Sequence, residues 1–268
     1  MLNIIRADFY RVIRSKGIYI TFAILLIFTV FSIGIVHFIQ SGDINVVEMG
    51  GDAVMVDFGE FDLSGHNTPM TLATSLGSDI MWFMLPFIVI IGAAMFSHNT
   101  VKNDIAWGLC RVKLYMAKLL LTSAFCALMM LFYYGLGMLI GTVLNGFGSP
   151  EAGHWVHMLQ VFGAQLFLML GVTSVGMFLV FTTRRTAATI GIFIAFFLVP
   201  MFILQMLVFA NPDFMRFTGF DLSFNINSLA GIRYLETYEI VRAFGLGAFY
   251  LFGGTTLGII LFRRAEIK

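Results

Sequence analysis

Six runs of almost uninterrupted apolar residues divide this chain, at 17–39, 80–97, 119–144, 158–183, 187–210 and 243–262. Each is close to the roughly 20 residues that a helix needs to cross a bilayer core. The first run holds no Asp, Glu, Lys or Arg, and His37 lies near its far end. Ahead of it, residues 2–16 follow a different pattern. At helical spacing Leu2, Ile5, Phe9, Val12 and Ile13 fall on one side, with Asn3, Arg11 and Arg14 on the other. That stripe predicts a helix lying in the membrane interface, with Arg6, Arg11, Arg14 and Lys16 as its basic residues. The pattern therefore predicts an all-α integral membrane protein. It has one transmembrane domain over residues 1–268, with six transmembrane helices and an N-terminal amphipathic interfacial helix.

The segments between the runs differ in charge. Residues 40–78 carry Asp43, Glu48, Asp52, Asp57, Glu60 and Asp62 and no Lys or Arg. The stretch Val101–Lys118, VKNDIAWGLCRVKLYMAK, is basic, with Lys102, Arg111, Lys113 and Lys118 beside the single acid Asp104. A Gly-rich turn with Pro150 separates the third and fourth runs, and Arg184-Arg185 separates the fourth and fifth. A second long polar segment spans 211–242. Six crossings put both termini on one side, and charge chooses which. Of the 16 Lys and Arg, only Arg216, Arg233 and Arg242 lie on the side opposite the termini. Basic residues gather on the cytoplasmic side of membrane proteins, so both termini are expected there.

Composition agrees with this reading and adds some exclusions. Mean hydropathy is +0.91. Charged residues make up 12% of the chain, about half the share of an ordinary soluble domain. The net charge of +1 says nothing about nucleic acid, because the charges are segregated by side. Cys110 and Cys126 fit neither a disulfide nor a metal site. A cleaved signal peptide is not expected, because the first run is too long for its apolar core. His37, His66, His98, His154 and His157 are scattered near run ends or in polar segments, and no metal role is assigned to them.

No enzyme motif is visible. The chain has no Gly-Lys pair and hence no phosphate-binding loop, and no H-E-x-x-H or G-x-S-x-G. The apolar runs also lack interior charge. Asp79 and Arg242, the only candidates, stand at run ends. Ion-coupled transporters usually hold ionisable groups at membrane depth, so any work done here should draw on a partner. Gly254-x-x-x-Gly258 fits the small-residue spacing of close helix packing. It is read as intramolecular packing, with a dimer seam as the alternative. Pro86 and Pro200 sit inside runs and should bend them.

These features resemble the ABC-2 type permeases (type V exporters), above all the compact six-span subunits of bacitracin and lantibiotic (bacteriocin) resistance or immunity systems. The N-terminal DFYRVIRSKGIY and the basic tail FRRAEIK match. So does the spacing of Asn103, Gly108, Cys110, Arg111, Tyr115 and Lys118 between the second and third runs. Two features depart from the pattern: Asp104 is not followed by Gly-Thr, and Cys110 stands where Ser is common.

The resemblance implies a bacterial cell-membrane permease that binds no cofactor itself. ATP and Mg would sit on a separate ATPase subunit, present in two copies, and a second permease, identical or related, would complete the transporter. It makes Asn103, Asp104, Gly108, Arg111, Lys113, Tyr115 and Lys118 a loop through which the ATPase drives the spans. The cargo implied is an amphipathic antimicrobial peptide. Six acids between residues 40 and 78 would attract a cationic one. Export of a lipid, drug or other small peptide remains open. So does a membrane sensor or scaffold that transports nothing, and a membrane enzyme is the weakest alternative.

Overall fold

The computed structural model describes residues 2–41, 46–49, 52–55, 63–76, 79–97, 101, 108–229 and 236–264. Six helices in it are long and apolar enough to cross a membrane. They are Lys16–Phe38, Asp79–Phe96, Arg111–Asn145, His154–Thr183, Thr186–Ala210 and Thr237–Arg264, here called the first to sixth spans. A separate N-terminal helix, Leu2–Ile13, precedes them, and only Arg14 and Ser15 join it to the first span. Large apolar side chains such as Ile27, Phe38, Leu159, Phe209 and Phe249 stand exposed along these helices. In water such a surface would drive aggregation; in lipid it is the normal outer face.

The fourth span lies at the centre of the bundle and the fifth at its edge. Two-thirds of the fourth span's most apolar window is buried (67%), against 11% for the fifth. Glycines set the closest approach, between the fourth and sixth spans. Gly171 faces Tyr250 and Gly247, and Gly254 lies against the Ser174 backbone. Ser174 also donates to the Leu251 carbonyl at 2.9 Å. Apolar burial does not favour helix contact over lipid contact, so small residues that let backbones meet are the main cohesive device. The Gly254-x-x-x-Gly258 spacing thus packs inside the chain: Gly258 abuts the Tyr115 ring of the third span. An aromatic series ties the other spans together. Phe9 of the N-terminal helix meets Phe125, which stacks on Phe87, and Phe22 meets Phe87 and Phe132.

The second span is irregular. A 3-10 turn at Asp79–Phe83 passes into α-helix at Met84–Ile88, a π-turn at Val89–Ala93 and α-helix again at Ala94–Ser97. Pro86 removes one ladder hydrogen bond, and such local adjustments satisfy the freed carbonyls within a membrane. Several span hydroxyls are satisfied within their own helices. Thr21, Thr29 and Thr173 each donate to the carbonyl four residues back.

Several boundaries differ from those expected. The third span begins at Arg111 rather than 119, and the sixth at Thr237 rather than 243. Within the acidic segment, Val46–Met49 (β1) and Asp52–Met55 (β2) form an antiparallel hairpin with Val47 opposite Val54. Among the described residues the hairpin is a small exception to an otherwise helical architecture. A buried helix, Thr68–Leu76, then lies against the third span. Gly137 and Gly141 leave room for it: a side chain at Gly137 would strike Leu72, and one at Gly141 would strike Thr68. Pro69 suits the first turn of that helix, where its missing N–H has no partner to lose.

At the same end of the bundle Tyr134 donates to Gln165 Oε1 at 2.6 Å. Gln165 Nε2 in turn donates to the Ile226 carbonyl at 2.8 Å. This buried chain joins the third and fourth spans to the short helix Leu222–Ser228.

Candidate functional site

The N-terminal helix, the start of the third span and the end of the sixth span meet at one end of the bundle. Lys118 Nζ donates to Asp8 Oδ1 at 2.7 Å, with the lysine side chain 2% exposed and the aspartate 11%. Arg11 Nη2 donates to the same oxygen at 2.9 Å from a more exposed position. Asp8 Oδ2 makes no hydrogen bond among the described residues. Moving ions out of water is costly, so burial of this lysine requires a counter-charge held close.

Arg111 makes the second link. Its Nη1 donates to the carbonyls of Phe262 at 3.2 Å and Arg263 at 2.9 Å. These are among the last carbonyls of the sixth span, which lack partners within their own helix. A cation there also complements the negative end of the helix dipole. Tyr115 supplies a third link. Its buried ring packs on Phe181 with centroids 4.8 Å apart, and its hydroxyl donates to the Gly254 carbonyl at 3.4 Å. The N-terminal helix, third span and sixth span are thereby fastened together at this basic end.

The residues expected to form one loop are thus divided. Asn103 and Asp104 lie outside the described residues. Gly108 is exposed in a turn with φ +81°, a left-handed conformation that glycine adopts without strain. Lys113 is exposed on the first turn of the third span. Arg111 caps the sixth span. Tyr115 and Lys118 are not loop residues: they lie on the buried face of a helix. The reading of charge-free span interiors is corrected at Lys118, about 10 Å along that helix from Arg111 at 1.5 Å per residue.

The N-terminal helix forms as expected, and its apolar stripe divides between the bundle and the outside. Asp8 and Val12 are buried, with Ile4 and Ile5 partly so, while Phe9 and Ile13 of the expected stripe are exposed. The ion pair selects the inward face, and the apolar residues beside it are left for lipid. Arg6, Arg11, Arg14 and Lys16 are all exposed. The Arg14 guanidinium sits 4.3 Å from the Tyr10 ring centroid, close enough for a cation–π contact.

Of the six acids in the 40–78 segment, Glu48 and Asp52 lie on β1 and β2. Asp43, Asp57, Glu60 and Asp62 lie outside the described residues. Two histidines that the sequence leaves scattered are neighbours at that end of the molecule. The rings of His66 and His154 are 4.9 Å apart between centroids. Carbonyls accept from each: His66 Nδ1–H donates to Phe147 O at 2.7 Å, and His154 Nε2–H to His66 O at 3.0 Å. No group of three metal-ligating side chains occurs among the described residues.

No known family model matches this sequence, and no characterised protein matches it. The site therefore rests on its own geometry.

Cys110, just before the third span, is exposed, and Cys126 is buried within it. The backbone N–H groups of Val112 and Lys113 and the nearby Lys113 and Arg263 charges hold the Cys110 thiol below its usual pKa. The reactive form is the thiolate. At neutral pH Cys110 is therefore expected to alkylate faster than an unperturbed thiol, with its rate profile displaced to lower pH. Cys126 should stay unmodified until the protein is denatured. Iodoacetamide labelling over a pH series, read by peptide mass, checks both.

Proposed function

We propose that this multi-pass membrane protein is the permease subunit of an ATP-driven exporter of the ABC-2 type. In this reading the basic end faces the cytoplasm, where a separate ATPase acts on it. The observation that carries the reading is the fastening of the N-terminal helix to the third span through Asp8 and Lys118. A displacement applied to the exposed surface of that helix, or to Lys113, would pass to the third span and through Arg111 to the sixth. Two discrete helix arrangements with different affinities for a closed ATPase are all that such coupling requires. The absence of a phosphate-binding loop from this chain leaves ATP and Mg to the partner.

A second permease, identical or related, would complete the pathway. The proposed cargo is an amphipathic peptide, with cationic antimicrobial peptides favoured by the acidic 40–78 segment. The test is purification of the tagged chain from its native membrane, with mass spectrometry for an ATPase subunit and a measurement of ATP turnover.

A further inference from the structure

We infer that a cavity between the fifth span and residues 212–228 binds a single-chain amphiphile with a primary ammonium head. This goes beyond the export reading and does not depend on it. The cavity measures about 560 Å³, within the roughly 300–1,000 Å³ of small-molecule sites. The fifth span supplies one wall through Met201, Leu204, Val208 and Phe209, and Met215 and Phe224 supply the other.

The wall arises from the span's own helical stripe. Thr189, Phe193 and Phe197 are the buried residues of the fifth span. Continued at helical spacing, that stripe reaches Met201, Leu204 and Val208, which are half-buried and line the cavity. The change falls at Pro200, inside the helix. Proline cannot donate to the carbonyl four residues back, and it bends helices. The half of the span beyond Pro200 thus borders an open apolar slot with a methionine on each wall, and methionine side chains adapt to an irregular chain.

Two polar groups define the head. Gln205 is the only polar side chain on the fifth span between Thr189 and Asn211. It lines the cavity and makes no hydrogen bond to the described residues. Its side chain is exposed, and on a helix in lipid an unsatisfied amide is costly unless a ligand or water meets it. Asp221 is the one charged residue among the described residues of the lining. Its Oδ1 accepts from the Ser223 N–H at 2.7 Å, and its second oxygen makes no hydrogen bond among the described residues. Thr218, also in the lining, already donates to the Met215 carbonyl at 2.6 Å. Arg216, on the same segment, is not part of the lining. An ammonium carries three donors and no acceptor, which suits one carboxylate oxygen and one amide oxygen. An anionic head would meet Asp221 with no cation among the described lining residues to offset it.

The experiment uses the full chain in phosphatidylcholine nanodiscs and a dodecylamine carrying a diazirine on its alkyl chain. Photolabelling should concentrate on residues 201–209 and 215–224. Unlabelled dodecylamine should displace the probe at a concentration about tenfold below that of dodecanol, the expected scale for a charge-assisted hydrogen bond. Asp221→Asn keeps a good cap for the helix that follows. It should abolish that tenfold preference while leaving the labelled segments unchanged. Bilayer partitioning of the competitors is the same for both proteins and cancels. Leu204→Trp should fill the slot and remove labelling there, with background labelling at the lipid-facing Phe252 unaltered. If Asp221→Asn fails to give a monodisperse protein, Gln205→Leu takes its place and should also reduce the preference. Equal labelling of Phe202, Phe252 and the cavity residues would overturn the proposal, as would an undiminished amine preference in the folded variant.

Discussion

Asp8→Asn is expected to destabilise the protein by about 3–5 kcal/mol, the scale for removing one member of a buried ion pair. The substitution removes the charge facing an ammonium that is 2% exposed. Lys118→Met should cost less, because Asp8 keeps its 2.9 Å contact with Arg11, which reaches solvent. The double variant Asp8→Asn/Lys118→Met should recover much of the loss, since no buried charge then remains. Thermal unfolding in detergent, followed by loss of the monodisperse species, provides the comparison. If the three variants show purely additive losses, the two residues are not coupled and the fastening described above is wrong. If the double variant recovers stability but not transport, the pair has a role in motion as well as in folding.

Gly254→Leu is the second large expected effect. A Cβ at Gly254 would lie 2.7 Å from Ser174 Oγ and 3.1 Å from both Ser174 C and Val175 N. Two of these three neighbours are backbone atoms, which cannot turn aside, so the fourth and sixth spans must separate. Overpacking of this kind costs about 1–3 kcal/mol, and the upper end applies because the larger side chain also breaks the Ser174–Leu251 hydrogen bond. Gly253, one residue earlier, has open space where its Cβ would stand. Gly253→Leu should therefore leave thermal stability nearly unchanged. Similar losses in the two variants would show that these spans do not meet as described.

The contrast between neighbouring glycines shows what the sequence reveals and what it hides. Six runs of the right length are enough to count the helices long enough to cross a membrane, because lipid enforces that pattern on every segment that crosses it. Gly254-x-x-x-Gly258 was visible as a spacing, but only the fold shows that it meets Ser174 and Tyr115 rather than a second copy. Lys118 was read as a loop residue because it stands in a basic cluster before an apolar run. Its partner is 110 residues away, and no local pattern reports such a distance. A signal was nevertheless present: Leu114, Lys118, Leu121 and Phe125 keep helical spacing straight through the supposed boundary. Asp8 was equally visible as the one acid in an otherwise basic helix. The helix Thr68–Leu76 is hard to read from sequence because it is short and its buried face mixes Thr68 and Thr71 with Met70, Leu72 and Ala73. Gly137 and Gly141 of the third span leave room for it.

The central claim is that an ATPase acts on this protein at its basic end. The most direct measurement places a photo-cross-linking residue at Lys113, which is exposed and lies outside the Asp8–Lys118 pair. The chain is then irradiated in its native membrane before purification. The account predicts one dominant adduct, with a subunit that hydrolyses ATP. It also predicts that ATP turnover of the purified complex responds to a cationic amphipathic peptide, and that Asp8→Asn/Lys118→Met weakens the response while the adduct persists. An adduct with a protein that carries no nucleotide site, or none with any protein, would contradict the account.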